Sequence, residues 1–125
     1  MGQKVAILGA SKNPERYAHM AFTMLKEYGH SPLPINPGFS DLEGTPVIAK
    51  LGDIKESVDT LTMYVGPETS TKLQNEILAL KPKRVIFNPG SENSALEAAL
   101  KSAGIQVMDA CTLVLLRTNQ FDKVF

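Results

Sequence analysis

The chain has 125 residues, 43% of them hydrophobic, with thirteen basic and thirteen acidic side chains that cancel. That length suits one domain spanning residues 1–125 with a sizeable core, and the balanced charge leaves no global field to recruit nucleic acid or a membrane surface. Cys111 is the single cysteine, which excludes an internal disulfide and a cysteine-based zinc site and points to a reducing, cytoplasmic setting.

Met1 runs within three residues into the first apolar stretch, leaving no room for a signal peptide, and no apolar run reaches membrane-spanning length. That stretch, Lys4 to Leu8, breaks at Gly9 and reads as a buried parallel strand. The residues Gly9, Ala10 and Ser11 leave it for a helix that begins near Tyr17. Ala18, Ala21, Phe22 and Leu25 form the apolar stripe of that helix and Gly29 closes it. His19 falls off the stripe and is expected at the surface.

Leu33 and Ile35 predict a second strand, irregular because Pro32 and Pro34 each lack a ladder donor, and Asn36-Pro37-Gly38 ends it. Residues 39 to 59 show no helical stripe longer than one turn, so that crossover is expected to be irregular, anchored by Leu51 and Ile54. From Thr60 to Val65 polar and apolar residues alternate, as in a less buried strand at a sheet edge, and Gly66-Pro67 stops it. Leu73, Ile77 and Leu80 mark a helix that Pro82 terminates.

Val85 to Phe87 predicts the fourth strand, ended by Asn88-Pro89-Gly90. A helix striped by Leu96, Ala99, Leu100 and Ala103 follows, and Ile105 to Met108 completes five strands. The apolar segment Leu113 to Leu116, before Phe121, either packs on the sheet or meets another subunit, so a monomer and a homodimer both stay open.

Strands alternating with helical crossovers predict an α/β fold: a Rossmann-type, doubly wound, five-stranded parallel sheet, with expected order 3-2-1-4-5. Ligands of such sheets lie at the carboxyl ends of the strands where strand order reverses, here expected between the first and fourth strands. The four breaks at Gly9, Asn36, Gly66 and Asn88 then share one crest, a rim of small residues and exposed backbone suited to a small nucleotide-type ligand.

The loop at Gly9-Ala10-Ser11 lets a phosphate approach the backbone, with Lys12 and Arg16 flanking it. The dinucleotide fingerprint GxGxxG is absent, and Asn36 stands where an NAD site places a carboxylate, so NAD is disfavoured. A Walker pattern is missing as well, and no acid-base pair, metal cluster or nucleophile triad is evident. Cys111, just past the fifth strand, reads either as a small buried thiol or as a group that reacts with a ligand's thiol or acyl end.

Together, Val5-Ala6-Ile7-Leu8-Gly9-Ala10-Ser11, Ile35-Asn36-Pro37, Phe87-Asn88-Pro89-Gly90-Ser91-Glu92-Asn93 and Cys111-Thr112-Leu113 resemble the small CoA-binding domain proteins. These look like the amino-terminal domain of the succinyl-CoA synthetase α subunit standing alone, and the resemblance spans nearly the whole chain. It implies a cytoplasmic module for CoA or acyl-CoA, with the phosphates at Gly9-Ala10-Ser11. The adenosine end would lie toward Asn36-Pro37-Gly38 and Val65-Gly66-Pro67, and pantetheine toward Asn88-Pro89-Gly90. Two departures stand out: many relatives carry a basic residue after Asn-Pro, where this chain has Gly38, and some carry an arginine near Val65-Gly66. The ligating domains of the synthetase have no counterpart here, so the resemblance implies binding without catalysis. A CoA-dependent enzyme using Cys111, and a protein-interaction domain with a vestigial nucleotide site, are the alternatives.

Overall fold

The first apolar run forms strand β1 (Lys4–Leu8), and its last four residues are buried. Residues 2–122 are described by the structure, a computed structural model. An eight-residue loop leads into helix α1 (Tyr17–Glu27), which buries Ala18, Ala21, Phe22 and Leu25 as its stripe predicts. Strand β2 (Ser31–Ile35) follows, then a two-rung hairpin of β3 (Asp41–Leu42) and β4 (Thr45–Pro46) and one 3-10 turn at Leu51–Asp53. Strand β5 (Thr60–Met63) precedes helices α2 (Pro67–Lys72) and α3 (Gln74–Leu80), which meet at Leu73 rather than forming one continuous helix. Strand β6 (Arg84–Phe87), helix α4 (Ser94–Ser102), strand β7 (Gln106–Asp109) and helix α5 (Thr112–Arg117) complete the order.

The architecture is the expected α/β, Rossmann-like one, an all-parallel five-stranded sheet with helices on both faces, but its order is β2-β1-β5-β6-β7. Counted over the five expected strands this is 2-1-3-4-5 rather than 3-2-1-4-5, so strand order reverses between β1 and β5. The alternation of Thr60, Leu61, Thr62 and Met63 suggested an edge, yet all four are fully buried.

Long-range hydrogen bonds explain this, because a threonine whose hydroxyl is bonded inside the protein loses little on leaving water. Thr60 donates to Gln3 Oε1 at 2.7 Å and accepts from Arg84 Nη2 at 2.8 Å, while the Thr62 and Thr112 hydroxyls pair at 2.8 Å. The edges are instead β2 and β7. In β2 the Ser31 amide donates to Gln3 on the β1 side, so the alternate positions Pro32 and Pro34 turn their donorless nitrogens outward, where no ladder partner is needed. Ile48 covers part of that edge by donating to the Pro34 carbonyl.

Helices α1 and α5 cover one face, where Phe22, Leu25, Leu115 and Leu116 pack on Val5, Ile7 and Ile86. The last apolar segment therefore packs on the sheet, and Phe121 is 2% exposed. On the opposite face Leu51, Ile77, Leu96 and Leu100 pack on Ala6, Leu61, Met63, Val85 and Phe87. Each such fully buried side chain is worth about 1.5–3 kcal/mol relative to exposure. At the amino ends of the strands, Arg84 is buried with its guanidinium on Thr60, Gln3 and the Phe121 carbonyl and over the Phe121 ring. Burial lowers its pKa to about 10, against the opposing pull of Asp122. Among the described residues no helix is long and apolar enough to cross a membrane.

Candidate functional site

At the opposite, carboxyl ends of β1, β2 and β5 the crest opens into two hollows that share Gly9 and Asn36. Gly9 has φ +92°, and a Cβ there would stand 2.9 Å from the Tyr64 carbonyl oxygen and from Val65 Cγ1. Only glycine allows the backbone both this conformation and this approach. The Gly9 and Ala10 amides both donate to the Ile35 carbonyl at 3.2 Å, so these two donors are already spent.

Available donors begin one residue later. The amides of Ser11 and Lys12, and those of Tyr17 and Ala18 at the start of α1, make no hydrogen bond to another described residue. All four residues line the larger hollow, a cleft of about 730 Å³ that also takes in Asn13, Glu15, Arg16, Phe39 and Tyr64. The first turn of α1 carries no acidic residue, so the positive end of its dipole is not neutralised there. Lys12 reaches over the Phe39 ring at 5.1 Å, and Arg16 is the helix N-cap. The Ser11 hydroxyl accepts from the Asn13 amide at 3.0 Å and shapes the loop rather than capping the helix, which starts six residues on.

Asn36 joins the two hollows, donating from Nδ2 to the Ala10 carbonyl at 2.8 Å and accepting the Gly38 amide at 2.7 Å. Beyond it lies the second hollow, about 360 Å³ with almost wholly apolar walls from Leu8, Ile35, Pro37, Leu51, Val65 and Leu73. One hollow thus offers amide donors and two cations, Lys12 and Arg16, and the other offers greasy walls. That is a division suited to a ligand with an anionic part and a flat apolar part.

Residues 3–117 of the chain match a known family, the CoA binding domain. The chain belongs to the CoA binding domain family. A solved structure of an uncharacterised protein is 42% identical to this CoA binding domain, with TM-score 0.91 over 97% of this chain and 99% of the other. The Thermus thermophilus protein cell-free ID.343 is 38% identical, with TM-score 0.88 over 96% of this chain and 91% of that one. An acetyl-coenzyme A synthetase 1 of Ca. Korarchaeum cryptofilum, solved with phosphate and ADP, shares the fold at 23% identity and TM-score 0.74, over 86% of this chain but 25% of its own.

Of the residues singled out in the sequence, Gly9, Ala10, Ser11, Lys12, Arg16 and Asn36 meet around the cleft of this CoA binding domain, and Pro37 and Val65 line the apolar hollow. Gly38, Gly66, Pro67, Pro89 and Gly90 are exposed on the same crest outside both linings. Asn88 is buried and acts as a strut: it donates to Thr62 Oγ1 at 2.7 Å and to the Met63 carbonyl at 2.9 Å, and accepts the Thr112 amide at 2.9 Å. Cys111, half-buried at the start of α5, lines neither hollow.

His19 departs from expectation, for it is buried on α1 with Nε2 2.6 Å from Glu43 Oε2, and so ties the β3–β4 hairpin to the helix. Sequence reasoning missed Phe39 and Tyr64 in the cleft, and Lys50, Leu51, Thr69 and Leu73 in the apolar hollow. The Tyr64 phenol is pushed up to about 12 by burial, against the pull of Thr112 and Thr62, and stays protonated at neutral pH.

Proposed function

We propose that this chain is a CoA or acyl-CoA binding module with no catalysis of its own. The diphosphate takes the Ser11 and Lys12 amides, the first amides of α1 and the charge of Lys12 and Arg16. The adenine enters the apolar hollow behind Asn36, its ribose crosses the end of β2, and pantetheine runs along the crest toward Asn88-Pro89-Gly90. The single observation that carries this reading is the set of four amides without partners among the described residues, all on one cleft that adjoins a hollow with apolar walls. Such donors favour an anion for the same reason that a helix start does, since the N-H groups are unspent and the dipole is positive. Family membership supports a ligand that combines a diphosphate with a purine and a flexible thiol arm.

Isothermal titration of the purified protein with CoA, NAD, ATP and ADP-ribose tests it. CoA is expected to give saturable heat at submillimolar concentration and the others weaker binding. No binding of CoA at about 1 mM, a regime of only about −4 kcal/mol, overturns the reading.

A further inference from the structure

CoA differs from its dephosphorylated precursor by a phosphate monoester on the adenosine ribose, a dianion that the diphosphate loop is not placed to hold. The residue after Asn36-Pro37 is Gly38, which has no side chain, and its amide is occupied by Asn36 Oδ1 at 2.7 Å. A cation reaches this corner from another part of the chain. Lys50 lines the apolar hollow beside Asn36 and Pro37, and no other basic residue lines that hollow.

Its backbone is held there from both sides. Two residues earlier Ile48 bridges to β2, donating to the Pro34 carbonyl and accepting the Asn36 amide, each at 2.9 Å. One residue later Leu51, 3% exposed, anchors the 3-10 turn. Lys50 itself is extended at φ −152°, ψ 157° and exposed, and its ammonium makes no ion pair or hydrogen bond with another described residue. A phosphate dianion on the ribose would supply a partner for this ammonium, which a flexible four-carbon stem carries at the rim of a hollow with greasy walls.

We infer that Lys50 reads the ribose phosphate and makes the site prefer 3′-phosphorylated adenosine diphosphates, CoA among them, over the same ligand without that phosphate. This rests on the CoA reading above, with adenine in the apolar hollow. Lys12, a rival cation in the adjoining cleft, is engaged over Phe39 on the other side of Asn36, where the diphosphate is expected.

The test is titration of the wild type, Lys50→Ala and Lys12→Ala with CoA and with dephospho-CoA at low and at physiological salt. The wild type is expected to bind CoA about tenfold more tightly than dephospho-CoA, a gap that narrows with salt. Lys50→Ala should lose that preference while keeping its dephospho-CoA affinity, and Lys12→Ala should weaken both ligands and keep the preference. Equal wild-type affinity for the two ligands overturns the role of Lys50 while leaving CoA binding intact. So does a preference that survives Lys50→Ala but vanishes in Lys12→Ala, or an equal loss of both ligands in Lys50→Ala. If neither ligand binds the wild type, the CoA reading itself has failed.

Discussion

Replacing Ser11 by Asp puts a negative charge into the cleft at the point where the first available amide is presented. The fold should tolerate it, because Ser11 is only half-buried and its hydroxyl accepts from the Asn13 amide at 3.0 Å, a bond that an aspartate oxygen can take over. The ligand should not. Two unit charges about 5 Å apart at an effective dielectric of about 20 repel by about 3 kcal/mol. Halving that for solvent at this open position leaves about 1.5 kcal/mol, roughly a tenfold loss of CoA affinity. Titration calorimetry reads this, and the loss should shrink as salt rises. Ser94, exposed at the first residue of α4, is the matched control, since an aspartate there sits at a helix start but outside the cleft lining. Ser91 cannot serve, being buried with its hydroxyl donating to the Asn88 carbonyl at 2.7 Å. An unchanged CoA dissociation constant in Ser11→Asp, or an equal loss in Ser94→Asp, would refute the placement of the diphosphate.

Gly9→Ala must accept φ +92° and a Cβ 2.9 Å from the Tyr64 carbonyl oxygen, so it should cost about 1–3 kcal/mol of stability in urea denaturation; an unaltered midpoint would mean the turn is not constrained. Asn88→Ala takes one partner from each of the Thr62 hydroxyl, the Met63 carbonyl and the Thr112 amide, and should lower stability by about 2–4 kcal/mol while the folded protein keeps its CoA affinity. A loss of affinity without a loss of stability would make Asn88 a ligand contact. His30 is held below its ordinary value of 6.5 chiefly by burial, with Asp122 opposing, and its Nδ1 accepts the Gln3 amide at 3.0 Å. The unfolded chain therefore binds this proton more readily, and the contribution of neutral His30 is present above about pH 6.5 and lost as pH falls through the lowered folded value. Denaturation at pH 7.5 and 5.5 should show that loss, and His30→Asn, which keeps an acceptor, should flatten it; an equal slope in both proteins would assign the loss to another group.

The elements themselves were legible because their signals are local. Val5 to Leu8 and Val85 to Phe87 are unbroken apolar runs, as strands covered on both faces must be, and the stripe of α1 recurs at helical spacing. The breaks at Gly9, Asn36, Gly66 and Asn88 were legible for the same reason, and parallel strands were enough to gather them on one crest. Strand order was not legible, because the sequence shows that Thr60 and Thr62 are polar but not that Gln3, Arg84 and Thr112 bury their hydroxyls. The same limit hid His19 behind Glu43 and made Asn88 look like a rim residue when it is a strut. Half of the site followed from the glycine loop, whose residues adjoin in sequence and so carry their own signal. The other half, the apolar hollow and Lys50 at its rim, is assembled from residues between Leu8 and Leu73 that only the packing of β2, the 3-10 turn and α2 brings together. Periodicity records which way a side chain faces along its own element, whereas the partner that buries a polar group or walls a pocket comes from elsewhere in the chain and exists only once the layers have packed.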